Sequence, residues 1–189
     1  AVWRGREWQR PSAPARRTVA LMGRPRVITI VGGGTAGWMT AALLSKLFTR
    51  GFEIRLIESD EIGTIGVGEA TIPAIRTYNG LAGIDEFAMM RATGSTYKLG
   101  IQFVDWKDKG SRYVHGFGKI GQDMLWLHPH QFWLKFAGRG EAMHFDHYAL
   151  NCVAALKNRF AHPDPRQPGT PIADIDYAFH MDASLFARF

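Results

Sequence analysis

Gly32, Gly34 and Gly37 fall on the pattern G-x-G-x-x-G within VGGGTAGWMT, residues 31–40. In such a turn the first glycine allows a tight bend. The second lets a pyrophosphate approach the backbone, and the third allows a helix to pack closely on a strand. Thr35, Ala36 and Gly37 would open that helix, where free N–H groups and the positive dipole end suit phosphate. Glu58 follows Gly37 by twenty-one residues, at the distance where an acid accepts hydrogen bonds from ribose hydroxyls. No basic residue comes directly after Glu58, which disfavours a 2′-phosphate; the pattern does not separate NAD from FAD.

The flanking elements must position these groups. RVITIV, residues 26–31, is a β-branched run of strand type. Ala36, Met39, Leu43 and Leu47 then recur at helical spacing, with Gly51 where a helix would end. FEIRLIES predicts a second strand ending at Glu58. Strand, glycine turn, helix, strand and acid arrive in the order of an α/β, Rossmann-like fold.

Size and charge narrow the function further. A chain of 189 residues with 46% hydrophobic content supports a globular core. The net charge of +6 is local: residues 1–26 hold seven arginines and one acid, leaving sixteen basic and sixteen acidic residues elsewhere. A folded part without basic bias argues against nucleic acid as partner. No apolar run reaches the ~20 residues that span a bilayer, so no membrane partner is expected. Cys152 is the sole cysteine, which fits a reducing cytoplasm and a packing role. Residues 1–21 lack the apolar stretch of a secretory signal and read as a basic, disordered or artefactual extension ahead of Met22.

Other stretches are scaffold or weak sites. His128 and His130 stand two apart without a third ligand at suitable spacing, so no metal site is expected. DHYALNCVAALKNRF predicts a helix with Asp146 as its N-cap. HPDPRQPGTP, with four prolines, is a loop. FHM is strand-like, and Asp182 would cap a short helix with Leu185, Phe186 and Phe189 on its apolar face. Trp38 and Trp106 are the tryptophans expected near a cofactor or tunnel.

A second glycine-bearing segment, IGTIGVGEATIP at residues 62–73, reads by itself as a loop with Gly66 and Gly68, leading through Pro73 into a helix. Beside GGGTAGW it resembles the flavin-dependent halogenases of the tryptophan halogenase family. STYKLGIQFVDW, YVHGFG and YAFHMDASLFARF extend the resemblance from about Arg26 to Phe189. The resemblance implies an FAD-binding fold, the N-terminal part of a larger flavin-dependent monooxygenase-type enzyme. It implies that Val67, Gly68, Glu69 and Ala70 line the flavin, that Lys98 is the catalytic lysine, and that Ile101, His115 and Phe117 meet an indole or other aromatic substrate. It further implies FAD, delivered as FADH2 by a separate flavin reductase. Reduced flavin and oxygen would oxidise chloride or bromide to a hypohalous acid that reaches Lys98. Pattern alone would make Lys98 a solvated lysine on a strand; the surrounding motif reverses that.

Residues 22–189 therefore read as one FAD-binding domain cut at its C-terminus, with a homodimer allowed. The later tryptophan-rich signature and the acid that cooperates with the lysine are lacking, so this chain alone is expected not to turn over. Two further readings stay open: another FAD-dependent monooxygenase of this fold, or a non-enzymatic remnant or nucleotide-binding module.

Overall fold

The computed structural model describes residues 26–62 and 67–189. The basic extension and Gly66 lie outside the described residues. In chain order the elements are β1 (Arg26–Val31), α1 (Thr35–Leu47), β2 (Phe52–Ile57), β3 (Gly68–Ala70), α2 (Ala74–Ala82), α3 (Glu86–Thr93) and β4 (Thr96–Lys98). They continue with β5 (Gly100–Val104), β6 (Arg112–Gly116), α4 (Pro129–Ala137), a 3-10 turn (Phe145–Tyr148), α5 (Leu150–Leu156), β7 (Ala178–Asp182) and α6 (Ala183–Arg188). The chain divides into two compact units.

The first unit runs to Gly68 and adds Tyr78–Gly94 and Met181–Phe189. Strands β1 and β2 pair in parallel from Arg26↔Phe52 to Val31↔Ile57, and α1 is their crossover. β1 has the expected boundaries and β2 ends at Ile57, one residue before Glu58; the ladder extends one step further, Gly32 N–H donating to the Ile57 carbonyl at 2.8 Å. The Tyr78 hydroxyl donates to the Met39 carbonyl at 3.0 Å, tying α2 to α1. Helix α3 starts where the Asp85 carboxylate accepts from Ala88 N–H and stops at Gly94, whose φ of 62° is left-handed. Asp182 caps α6 as its sequence position predicts, accepting from Leu185 N–H at 2.9 Å, and Ala183 and Phe186 are buried.

The second unit comprises Glu69–Thr77 and Ser95–His180. Its sheet has the order β3–β7–β4, with β7 and β4 antiparallel and Lys98 facing Ala178. Residues 68–70 thus form a short strand, where the sequence read only a loop. The expected loop gains this strand through a partner more than a hundred residues away: Thr71 N–H donates to the Phe179 carbonyl at 2.9 Å. Strands β5 and β6 form a separate hairpin, in register from Gly100↔Gly116 to Val104↔Arg112. Phe179 is fully buried, and Tyr97 stacks on Phe160 at 3.7 Å between centroids.

Asp146 departs from expectation. It lies in the 3-10 turn, and α5 begins after it with Ala149 at the N-cap. Its carboxylate accepts instead from Val114 N–H at 2.7 Å. That backbone donor is buried, and an unpaired donor there costs more than a missing helix cap, so the strand claims the acid.

Candidate functional site

The dinucleotide turn in the first unit is built as its glycines require. Gly32 has φ +120°, a conformation that side chains resist. A Cβ on Gly37 would collide with the Gly32 carbonyl oxygen, so only glycine lets α1 start this close to β1. A Cβ on Gly33 would collide with the Glu58 side chain, which brings that acid against the turn. Gly33 was missing from the sequence-based set; its signal was the extra glycine in GGG. At Gly34 a Cβ would meet nothing within 4 Å, so the face at this position is open. Gly34 is also the N-cap of α1, with no side-chain cap and no acid in the first turn. Among the described residues the opening N–H groups of Thr35 and Ala36 have no side-chain cap, and Trp38 N–H is bonded to the Gly34 carbonyl at 3.1 Å. The Thr35 hydroxyl is turned away, donating to the Ala183 carbonyl at 3.3 Å. Open space, free donors and a nearby acid suit the pyrophosphate and ribose of a dinucleotide. Val67 and Gly68 belong to this unit and are exposed.

Lys98 belongs to the second unit. It is 6% exposed, which is rare for a lysine. Its amine donates to the Thr71 carbonyl at 2.9 Å and the Ala70 carbonyl at 3.3 Å, and stands 5.5 Å from the centre of the Phe117 ring. Burial pushes its pKa down, opposed by the negative charge of Glu69. The segment EAT, following the glycine loop, therefore holds the lysine through backbone carbonyls. Thr71 locks that segment: its hydroxyl donates to the Phe179 carbonyl and accepts from Phe179 N–H, each at 2.9 Å. Sequence reasoning passed over Thr71, because its partner lies on a distant strand.

Ile101 and His115 face each other across the β5–β6 hairpin. Phe117, buried, is fixed by its N–H to the Leu99 carbonyl at 2.8 Å. His115 and Phe117 line a cavity of about 590 Å³, joined by Pro73, Trp133, Phe145 and Asp146 among others. Ile101 is not among the lining residues. Phe117 thus touches both features of this unit, the buried amine and the aromatic-walled cavity. Trp133 and Phe145 escaped the sequence reading, and Asp146 was read there only as a helix cap; an aromatic carries no signal of which cavity it will face. Trp38 is half-buried on α1, and Trp106 is 75% exposed and packs edge-on against Phe103 at 4.6 Å. Cys152 is buried, as expected of a packing residue, its thiol pushed up chiefly by desolvation.

One unit with a parallel strand–helix–strand and a glycine turn, and another that holds a buried lysine, make this an α/β protein with an unusual amine. The family model "Tryptophan halogenase" matches residues 27–189. The chain belongs to the tryptophan halogenase family. Tryptophan 6-halogenase SttH of Streptomyces toxytricini is 33% identical over 87% of this chain and 35% of the relative. Among solved structures, the flavin-dependent halogenase Xcc4156 from Xanthomonas campestris has a TM-score of 0.77 at 49% identity, covering 87% of this chain and 32% of that one. BrvH, a flavin-dependent halogenase from Brevundimonas sp. BAL3, has the same TM-score at 44% identity, with the same coverage. The chain spans about a third of the length of these relatives.

Proposed function

We propose that the chain is the FAD-holding portion of a flavin-dependent halogenase that acts on an indole or related aromatic ring. The activity is that of a polypeptide of the relatives' length, and this chain supplies the dinucleotide turn, the lysine and part of the substrate chamber. The observation that carries the reading is Lys98: a buried amine, held by the Ala70 and Thr71 carbonyls, against the same Phe117 that lines the cavity.

Gly34 and the first N–H groups of α1 would hold the FAD pyrophosphate, and Glu58 the ribose. Val67, Gly68, Glu69 and Ala70 would lie along the flavin. When bound and reduced, FAD supplies with oxygen the oxidising power that converts chloride or bromide to an electrophilic halogen. Lys98 would donate a hydrogen bond to hypohalous acid, or, when neutral, attack its halogen, forming an N–X bond as the O–X bond breaks, with hydroxide leaving as water after taking a proton from the amine nitrogen. Burial favours the neutral, nucleophilic amine. His115 and Phe117 orient the ring that is attacked. A separate flavin reductase would supply FADH2, and the setting would be the cytoplasm. Among the described residues no helix is long and apolar enough to cross a membrane.

The test is the Lys98→Ala variant of the full-length protein with FAD, a flavin reductase, NADH, oxygen, bromide and indole. Brominated indole is expected to vanish while NADH and oxygen are still consumed, because the oxidant forms before the lysine acts. Undiminished bromination would overturn the assignment of Lys98.

A further inference from the structure

Of the aromatic residues that line the cavity holding His115 and Phe117, Trp133 is the largest and has no assigned role. Trp133 lies on α4 and reaches the cavity from a part of the chain remote from the glycine turn and the lysine strand. Two contacts fix its ring. The indole N–H donates to the Met143 carbonyl at 2.9 Å. The ring face leans on Phe145, with centroids 5.0 Å apart and planes at 56°. Phe145 precedes Asp146, whose carboxylate holds Val114 N–H, one residue before His115. The wall and the His115 strand are therefore joined by a short bonded path inside one unit.

A tryptophan whose only donor is already committed offers a ligand nothing but a flat apolar surface. Such a surface discriminates by ring size and planarity, since it cannot read polar substituents. We infer that Trp133 is a substrate-contacting wall of this cavity and sets the width of the ring system it accepts. The inference rests on the reading of the cavity as an aromatic substrate chamber.

Equilibrium dialysis of indole and of the wider tricyclic carbazole against the full-length protein tests it. Wild type should bind indole more tightly than carbazole. Trp133→Ala should weaken indole at least fivefold while leaving or improving carbazole, so that the preference reverses. Trp133→Phe, which keeps an aromatic in place, should retain indole within about twofold and shift the preference part of the way toward carbazole. It keeps the inference open to refutation if the alanine variant does not fold. A preference unchanged in both variants overturns the inference. His115→Ala separates the two levels. If indole binding falls in His115→Ala and stays intact in both Trp133 variants, the chamber stands and the role of Trp133 is wrong. If wild type binds neither ring, the chamber itself is wrong and the inference falls with it.

Discussion

Lys98 owes its chemistry to its surroundings rather than to its type. An exposed lysine is a hydrated point charge; one that is 6% exposed has lost most of that hydration, and its two carbonyl partners return only part of it. The sign of the pH effect follows. The folded-state pKa lies below the ordinary lysine value of 10.5, so between the two the unfolded chain binds more protons and stability rises with pH. Urea unfolding of wild type and Lys98→Met from neutral pH to about 10.5 should show wild type gaining on the variant as pH rises. A constant difference would mean that the amine is not desolvated. At this scale the sequence was partly readable. Lys98, His115 and Phe117 could be singled out only through the motif around them, because a lysine within TYKLG carries no local sign of burial. Asp146 was misread because an acid ahead of a helical pattern looks the same whether it caps that helix or serves a strand more than thirty residues earlier.

Each element is held by one or two contacts that its sequence must provide, and these separate folding from binding. Gly37→Ala places a Cβ on the Gly32 carbonyl, forcing α1 off β1. Overpacking of this kind costs about 1–3 kcal/mol, which a lowered urea midpoint would report. A midpoint equal to wild type would deny the close approach. Asp146→Ala leaves the buried Val114 N–H without its acceptor, at a cost of about 1–3 kcal/mol. Faster hydrogen exchange at the Val114 amide would localise that loss to β6, and unchanged exchange would refute it. The parallel β1–α1–β2 unit was legible in order and to within a few residues, since β-branched runs and turn glycines are local signals; β1 matched its run, whereas β2 stopped one residue before Glu58 and α1 four before Gly51. Strand β3 was not: Gly68–Ala70 has no strand character of its own and exists through Thr71 and Phe179.

At the scale of the whole molecule, the family and the α/β class followed from motif order, whereas the apolar surface could be seen only in the structure. A parallel pair is normally covered on both faces, yet Val27, Val31 and Ile57 are 46%, 81% and 46% exposed and α1 buries none of its residues fully. Exposed apolar surface of this sort binds 1-anilinonaphthalene-8-sulfonate. Dye fluorescence should therefore rise with the folded chain, before any denaturant is added; a response only on unfolding would contradict the exposure. The central claim is that this chain holds FAD on the turn at Gly32–Gly37, and it rests on a feature that folding does not need. Nothing lies within 4 Å of a Cβ at Gly34, so Gly34→Val should lower the melting temperature by no more than the modest loss of a glycine N-cap while filling the space the pyrophosphate requires. The deciding measurement is a fluorescence anisotropy titration of FAD with wild type and Gly34→Val side by side. Saturable binding by wild type, lost in a Gly34→Val chain that still unfolds cooperatively close to the wild-type temperature, is the predicted result. Equal binding by both chains, or none by wild type, would contradict the account.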